Sequence, residues 1–212
     1  MNSLDPLLVL VLLLNFVVLG AARMRTVISA AAAQGVVLGG LVVLAHHEIG
    51  VRILLLATGA VLLKAVVIPS MLDKAMRDAA IRREVEPYVG FTTSLLLGAL
   101  ATALSLLFSG TLPLAPGHVG SMMVPASFST ILTGFIMLTT RKKAIMQVVG
   151  YLVLENGIFI FGMLLLEAMP FLVEVGVLLD LFVGIFVMGI IVHHISRTFS
   201  SLDTGHLTAL KD

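Results

Sequence analysis

The chain of 212 residues contains no cysteine, and only 12% of its residues are charged. The absence of cysteine excludes a disulfide framework, thiolate metal sites and iron–sulfur ligation, so the chain carries no electrons on such centres. A soluble domain has about 25% charged residues, whereas this chain is 59% hydrophobic and has a mean hydropathy of +1.13. The composition predicts an all-α polytopic membrane protein.

Sequence motifs of soluble enzymes are also missing. The chain has no P-loop and no glycine-rich dinucleotide fingerprint. Its histidines do not show the i,i+4 pairing that suits a metal on a helix. Spanning helices and their connections occupy nearly all of the sequence, which leaves no room for a soluble catalytic domain. We therefore expect no catalytic residue, no cofactor, no metal site and no nucleic-acid partner, but contact with lipid.

Apolar segments follow one another along the chain at lengths suited to a bilayer, which requires about 20 residues per helix. Seven spans are predicted, at residues 7–22, 26–45, 51–68, 88–108, 122–140, 141–166 and 171–195. We expect Pro69 to end the third span and the charged segment 70–87 to form a short surface helix. Four N-terminal helices (1–121), a three-helix region (122–195) and a polar tail (196–212) then make up the chain.

The cations of the connections predict the orientation, because positive residues are retained in the cytoplasm. Only Arg52 falls on the opposite side from the other connection cations. These others are Arg23, Arg25, Lys74, Arg77, Arg82, Arg83, Arg141, Lys142, Lys143 and Arg197. The predicted N-terminus is therefore outside, and the polar tail and the loop 70–87 are cytoplasmic.

Three ionisable residues, Lys64, Glu155 and Asp180, fall at membrane depth. Glu155 lies about 18 Å along a helix from Lys143, near the membrane centre. Each such residue costs about 2.5–3.5 kcal/mol on insertion scales, and intramembrane charges usually mark ion paths or proton relays. Lys64 is the natural counter-ion for a carboxylate. The alternative is a structural role, in which the acids are permanently paired.

The last three predicted spans resemble the small K-type subunit of respiratory complex I and its relatives in cation antiporters. The resemblance rests on the cations 141–143 that open a helix, on Gly150, and on a mid-helix acid followed by Asn156. That family has a second acid in the next helix, four residues before a glycine. Asp180 and Gly184 match this spacing, with aspartate in place of the family's glutamate.

The first acid departs from the K-type pattern. The family's acid comes two residues after the glycine, which is Leu152 here, whereas this chain has Glu155. Three residues are nearly one helical turn, so the carboxylate keeps a similar face but moves by about 4–5 Å in depth.

The whole chain resembles the membrane component E of hydrogenase 4 and of related group 4 hydrogenase or formate hydrogenlyase complexes. The four additional N-terminal spans, the sequence ENG at 155–157 and the tail motif HHI at 193–195 followed by LDTGHL at 202–207 carry this resemblance. It implies a subunit, not catalytic alone, of a complex-I-like assembly in the bacterial or archaeal cytoplasmic membrane.

The resemblance also implies roles and partners. Asp180 and Glu155 would be relay acids in redox-coupled proton or sodium translocation, with Lys64 as a tuning charge. Asn156, Gly150 and Gly184 would support them. The partners would be antiporter-like and quinone-module-like membrane subunits and, indirectly, nickel–iron hydrogenase and iron–sulfur subunits. The alternative function is a subunit of a cation/proton antiporter, or an ion-coupled transporter, without a redox partner.

Overall fold

The structure is a computed structural model that describes residues 4–45, 58–59, 61–78, 84–112 and 121–164. Every regular element in these ranges is a helix. In chain order they are α1 (Asp5–Gly20), α2 (Met24–Ala45), a π-helix (Leu62–Val67) that runs directly into α3 (Ile68–Asp78), α4 (Phe91–Ser109), α5 (Met123–Thr140) and α6 (Ala144–Met163). The predicted seventh span and the polar tail lie outside the described residues.

Four of these helices, α2, α4, α5 and α6, are long and apolar enough to cross a membrane. Each falls on a predicted span and begins within about three residues of the predicted start. Helix α1 is equally apolar but has 16 residues, which is shorter than the usual spanning length. The all-α membrane class is confirmed, while the total of seven spans stays a prediction.

The helix does not end at Pro69, where the third span was predicted to end, but continues through it to Asp78. Proline normally breaks a helix by removing an N–H and crowding the carbonyl four residues earlier. Here it follows a wider π-helical turn, in which the N–H of Ile68 donates to the carbonyl of Leu63, five residues earlier. The wider turn accommodates the ring, and the helix regains α geometry after it.

The charged segment 70–87 is likewise only partly helical. Helix α3 is amphipathic and buries Ile68, Leu72, Ala75 and Met76, at the spacing of one helix face. Residues 84–88 are not helical: Glu84 and Pro87 form isolated β-bridges with Arg23 and Arg141. The surface helix predicted over the whole segment therefore covers only its first part in the described residues.

Four helices, α1, α2, α6 and α5, pack in that order into a closed ring. Helix α4 packs outside it against α1 and α5, and the π-helix and α3 pack against α2. The α5–α6 contact is the most extensive, because glycines let the two backbones approach. A Cβ added at Gly134 would lie 2.5 Å from the backbone nitrogen of Leu154, and one at Gly157 would lie 2.6 Å from that of Ile131.

The end of the bundle that carries the cations is held together by backbone hydrogen bonds. The N–H of Val85 donates to the carbonyl of Ala22 at 2.8 Å, and the N–H of Tyr88 donates to that of Thr140 at 2.7 Å. The extended residues 84–88 therefore join the α1–α2 turn to the α5–α6 turn. In addition, Lys143 lies 3.0 Å from the carboxylate of Glu86.

Candidate functional site

Lys64 and Glu155 form a buried ion pair between the π-helix and α6. The Nζ of Lys64 lies 3.1 Å from the Oε1 of Glu155, and the two side chains are 12% and 3% exposed. The ring of Phe159, one turn further along α6, lies beneath the ammonium at 5.7 Å from its centroid. The carboxylate that the sequence predicts as partner of Lys64 is therefore present in the structure.

The close approach of helix α2 positions Lys64. A Cβ added at Gly35 would lie only 2.8 Å from the Cβ of Lys64, so any larger residue would push the lysine backbone away. Lys64 also belongs to a π-helical turn, a geometry that occurs frequently at functional sites. Gly35 and the π-helix together place the lysine beside α6.

A chain of hydrogen bonds continues from Lys64 across the ring. The ammonium donates to the Oδ1 of Asn156 at 3.2 Å, and the amide of Asn156 donates to the Oε1 of Gln34 at 3.3 Å. Gln34 donates to the Oδ1 of Asn15 at 2.7 Å, and Asn15 donates to the hydroxyl of Thr130 at 2.9 Å. We call Asn156, Gln34, Asn15 and Thr130 the amide chain.

The ion pair and the amide chain lie near the middle of the bundle. Glu155 and Gln34 come eleven and ten residues after the starts of α6 and α2, which corresponds to about 15–16 Å along each helix. The four members of the amide chain are at most 2% exposed. The polar groups thus form a layer across the ring, near the middle of α2 and α6, two helices that are long and apolar enough to cross a membrane.

A small crevice lies beside this layer, on the side of the cation-bearing end. Lys64 and Asn156 are its polar residues, and the other side chains that line it come from α2, α3 and α6. Most of the lining is apolar, and it includes Ile28, Ala31, Ala32, Leu72, Val149 and Leu152. On their helices these residues lie between the ion pair and the ends that carry the cations. The crevice therefore approaches the ion pair from that side.

The structure brings together some of the residues predicted as a site. Lys64, Glu155 and Asn156 are in direct contact, and Leu152, where the K-type family has its acid, lines the crevice. Gly150 lies away from the ion pair, in the α5–α6 contact, where a Cβ would come 2.8 Å from Met137. Asp180 and Gly184 lie outside the described residues.

Sequence reasoning missed Gln34, Asn15 and Thr130. The first two were visible as single amides in otherwise apolar runs, AAAQGVV and LLLNFVV. Within the described ranges, no three histidine, aspartate or glutamate side chains are grouped as a metal site would need. The chemistry available at the ion pair is that of a buried carboxylate beside an ammonium, which can hold or exchange a proton.

Comparison with known proteins finds relatives along most of the chain. It is 34% identical over 194 residues to the uncharacterized protein Rv0085 of Mycobacterium tuberculosis. The aligned region covers 89% of this chain and 87% of that protein. It is 28% identical over 162 residues to hydrogenase-4 component E of Escherichia coli K12. This aligned region covers 76% of this chain and 74% of that protein. The protein of the same name from Shigella flexneri matches equally. No family model matches the sequence, and no solved structure matches it significantly.

Proposed function

Because the chain belongs to the same family as Rv0085 and is a more distant homologue of hydrogenase-4 component E, we propose that it is a membrane-arm subunit of a complex-I-like hydrogenase assembly. In this proposal it has no catalytic activity of its own. Its ionisable residues at membrane depth take part in redox-coupled translocation of protons or sodium, while other subunits carry out the electron chemistry.

The Lys64–Glu155 ion pair is the observation that carries the proposal. Burying an ion pair costs several kcal/mol per ion in desolvation, so it is weak evidence for stability alone. Intramembrane charges that face a bundle interior are typical of ion pathways. Glu155 would take up and release a proton beside the fixed positive charge of Lys64, and Asp180 would act as a second relay acid.

The distribution of charge supports an orientation. The described cations Arg23, Arg25, Lys142 and Lys143 lie at one end of the bundle, joined there by residues 84–88. By the positive-inside rule, this end would lie in the cytoplasm of the host and the start of α1 on the other side. The crevice would then connect the cytoplasmic side with the ion pair.

Substitutions that remove the titratable groups test the proposal. We expect Glu155→Gln and Asp180→Asn to keep the size and hydrogen bonding of the side chains, so the complex should assemble and keep hydrogenase activity with artificial electron acceptors. Ion-coupled turnover in sealed vesicles should fall about tenfold or more, because a proton-transfer group is lost.

A matched control is Thr133→Val, which removes a buried hydroxyl of α5 but no titratable group, and which should leave coupling unchanged. Unchanged coupling in both Glu155→Gln and Asp180→Asn, in fully assembled complex, would refute the relay. Loss of assembly in these variants would instead indicate a structural role, in which the acids are permanent partners of cations.

The second candidate is a subunit of a cation/proton antiporter, or an ion-coupled transporter, that works without a redox partner. The same ion pair favours it, since a buried carboxylate beside a lysine serves ion coupling whatever drives the transport. The two functions differ in the partner subunits, so co-purification of those subunits separates them.

A further inference from the structure

We propose that the amide chain solvates the ammonium of Lys64 and keeps it charged while its carboxylate partner Glu155 carries a proton. This inference rests on the proposed function, because it takes Glu155 as a group that changes its protonation state. It assigns Asn156, Gln34, Asn15 and Thr130 as positioning residues for Lys64 and not as carriers of the proton.

The direction of the hydrogen bonds is the first observation. From Lys64 to Thr130, each donor points away from the ammonium and each amide oxygen points back toward it. The negative ends of three side-chain dipoles therefore face the positive charge in sequence. Hydrogen bonds in such a chain polarise one another, and the low dielectric of the interior strengthens their effect on a charge.

Burial is the second observation. Gln34 and Thr130 are 0% exposed, and Asn15 and Asn156 are 2% exposed, so water solvates none of them freely. A lysine at this depth requires another polar partner whenever its carboxylate becomes neutral. The Oδ1 of Asn156, at 3.2 Å from the ammonium, is in place to supply that interaction in both states of Glu155.

The side chains of the amide chain can solvate a charge, but they are not suited to carry a proton. An asparagine or glutamine amide has two donors and one acceptor oxygen and does not titrate in the physiological range. The amide chain therefore has the same charge in every state of the ion pair. It can stabilise Lys64 continuously, whereas a titratable chain would itself gain or lose protons.

A set of variants in the full-length chain, within the complex of its native membrane, tests the coupling between the amide chain and Lys64. Glu155→Gln imitates the protonated acid, and Gln34→Leu interrupts the amide chain at similar volume. We expect each to reduce the amount of assembled complex that survives mild heating by less than about threefold. In the double variant, the fold-loss of surviving complex should exceed the product of the two single fold-losses by a further factor of about ten.

Removing the lysine distinguishes solvation of a charge from ordinary packing. Adding Lys64→Met to the double variant should restore most of the lost complex, because no charge is left to solvate. A control pair elsewhere, Thr102 and Ser129, joined by a hydrogen bond of 2.8 Å, tests for general effects: Ser129→Ala should show no coupling with Glu155→Gln.

The outcomes decide the inference separately from the proposed function, since complex survival is measured without ion transport. Additive losses, or losses that Lys64→Met does not relieve, would overturn the role of the amide chain. Should Gln34→Leu alone prevent assembly, the same series with Asn15→Leu applies, and rescue by Lys64→Met again decides. Coupling and rescue with unchanged ion transport in Glu155→Gln would retain the solvating role and refute only the relay.

Discussion

At the scale of single residues, burial distinguishes Arg141 from the other cations at the same end of the bundle. Arg141 is 1% exposed, and its guanidinium donates to the carbonyl of Leu19 at 2.7 Å and to the hydroxyl of Ser94 at 3.2 Å. It also lies 5.7 Å from the ring centroid of Phe91. Arg141 thus connects the end of α5 to α1 and α4. This role is not visible when the cations are used only to predict the membrane orientation.

Replacing Arg141 by lysine should destabilise the bundle even though the charge is kept. An ammonium cannot reproduce the planar fork that reaches several acceptors, so we expect a loss of about 2 kcal/mol in the free energy of unfolding. Burial lowers the pKa of the Arg141 guanidinium, but arginine stays protonated in proteins, so the loss should not depend on pH near neutrality. It would appear as a fall of about 5 °C in the midpoint of heat denaturation of the purified complex.

The exposed neighbour Lys142 provides the control, because its contact with the ring of Tyr88, 5.2 Å from the ammonium, is open to water. We expect Lys142→Met to change the midpoint by less than about 2 °C. Equal effects of the two substitutions would show that Arg141 acts through general charge and not through its buried hydrogen bonds.

Apart from Asn156, which the family resemblance marked, the residues of the site were predictable from sequence only where they are charged. Lys64 and Glu155 stand out because a charge in an apolar run is costly and therefore informative. Gln34 and Asn15 cost less and fit equally well as ordinary helix contacts, so their partners cannot be chosen without the arrangement of the helices. Thr130 carries no signal at all, since threonines are common in membrane helices.

At the scale of elements, successive turns on one face of α2 have different surroundings. Its Ala32 lines the crevice beside α3 and α6, whereas Val36, one turn further, is 50% exposed on the outside of the described bundle. If protons reach Lys64 through the crevice, water must enter it. A cysteine at position 32 should then react with a charged, membrane-impermeant thiol reagent, because such reagents attack the thiolate, which forms in water.

The chain has no cysteine, so single-cysteine variants can be read without background. In sealed vesicles we expect Ala32→Cys to be labelled only from the cytoplasmic side, while Val36→Cys, which faces hydrocarbon, stays unlabelled from both sides. Thr111→Cys, exposed at the opposite end, should be labelled only from outside. Labelling of Ala32→Cys from the outer side alone would reverse the proposed orientation, and no labelling would show that the crevice does not open widely enough to admit the reagent.

The length of apolar segments predicts which helices can cross the membrane, but it does not predict every helix boundary. The spans α2, α4, α5 and α6 follow from apolar length, which the bilayer imposes. The continuation through Pro69 does not, because it depends on a π-helical turn that the sequence does not mark. The extended residues 84–88 are equally hidden, since their hydrogen bonds go to turns that are distant in sequence.

At the scale of the whole molecule, the described helices enclose a polar layer that does not by itself join the two faces of the membrane. Among the described residues, the amide chain extends as far as Thr130, which does not titrate, and the crevice lies on the cation-bearing side of the ion pair. The proposed relay would then continue through a further acid, either Asp180 or a group of a neighbouring subunit.

Co-purification distinguishes a subunit that works inside an assembly from a carrier that works alone. An affinity tag after Asp212, in the native host, should recover this chain in stoichiometric amounts with other membrane subunits and with a nickel–iron hydrogenase subunit, after extraction in mild detergent. The chain expressed alone should be recovered poorly, because the surfaces and polar groups that its partners complete are then exposed to lipid or detergent. The matched control is the same tag on an unrelated seven-helix protein of that membrane, which should not recover the hydrogenase. A monodisperse chain that transports ions after reconstitution alone would contradict the assembly and support the transporter.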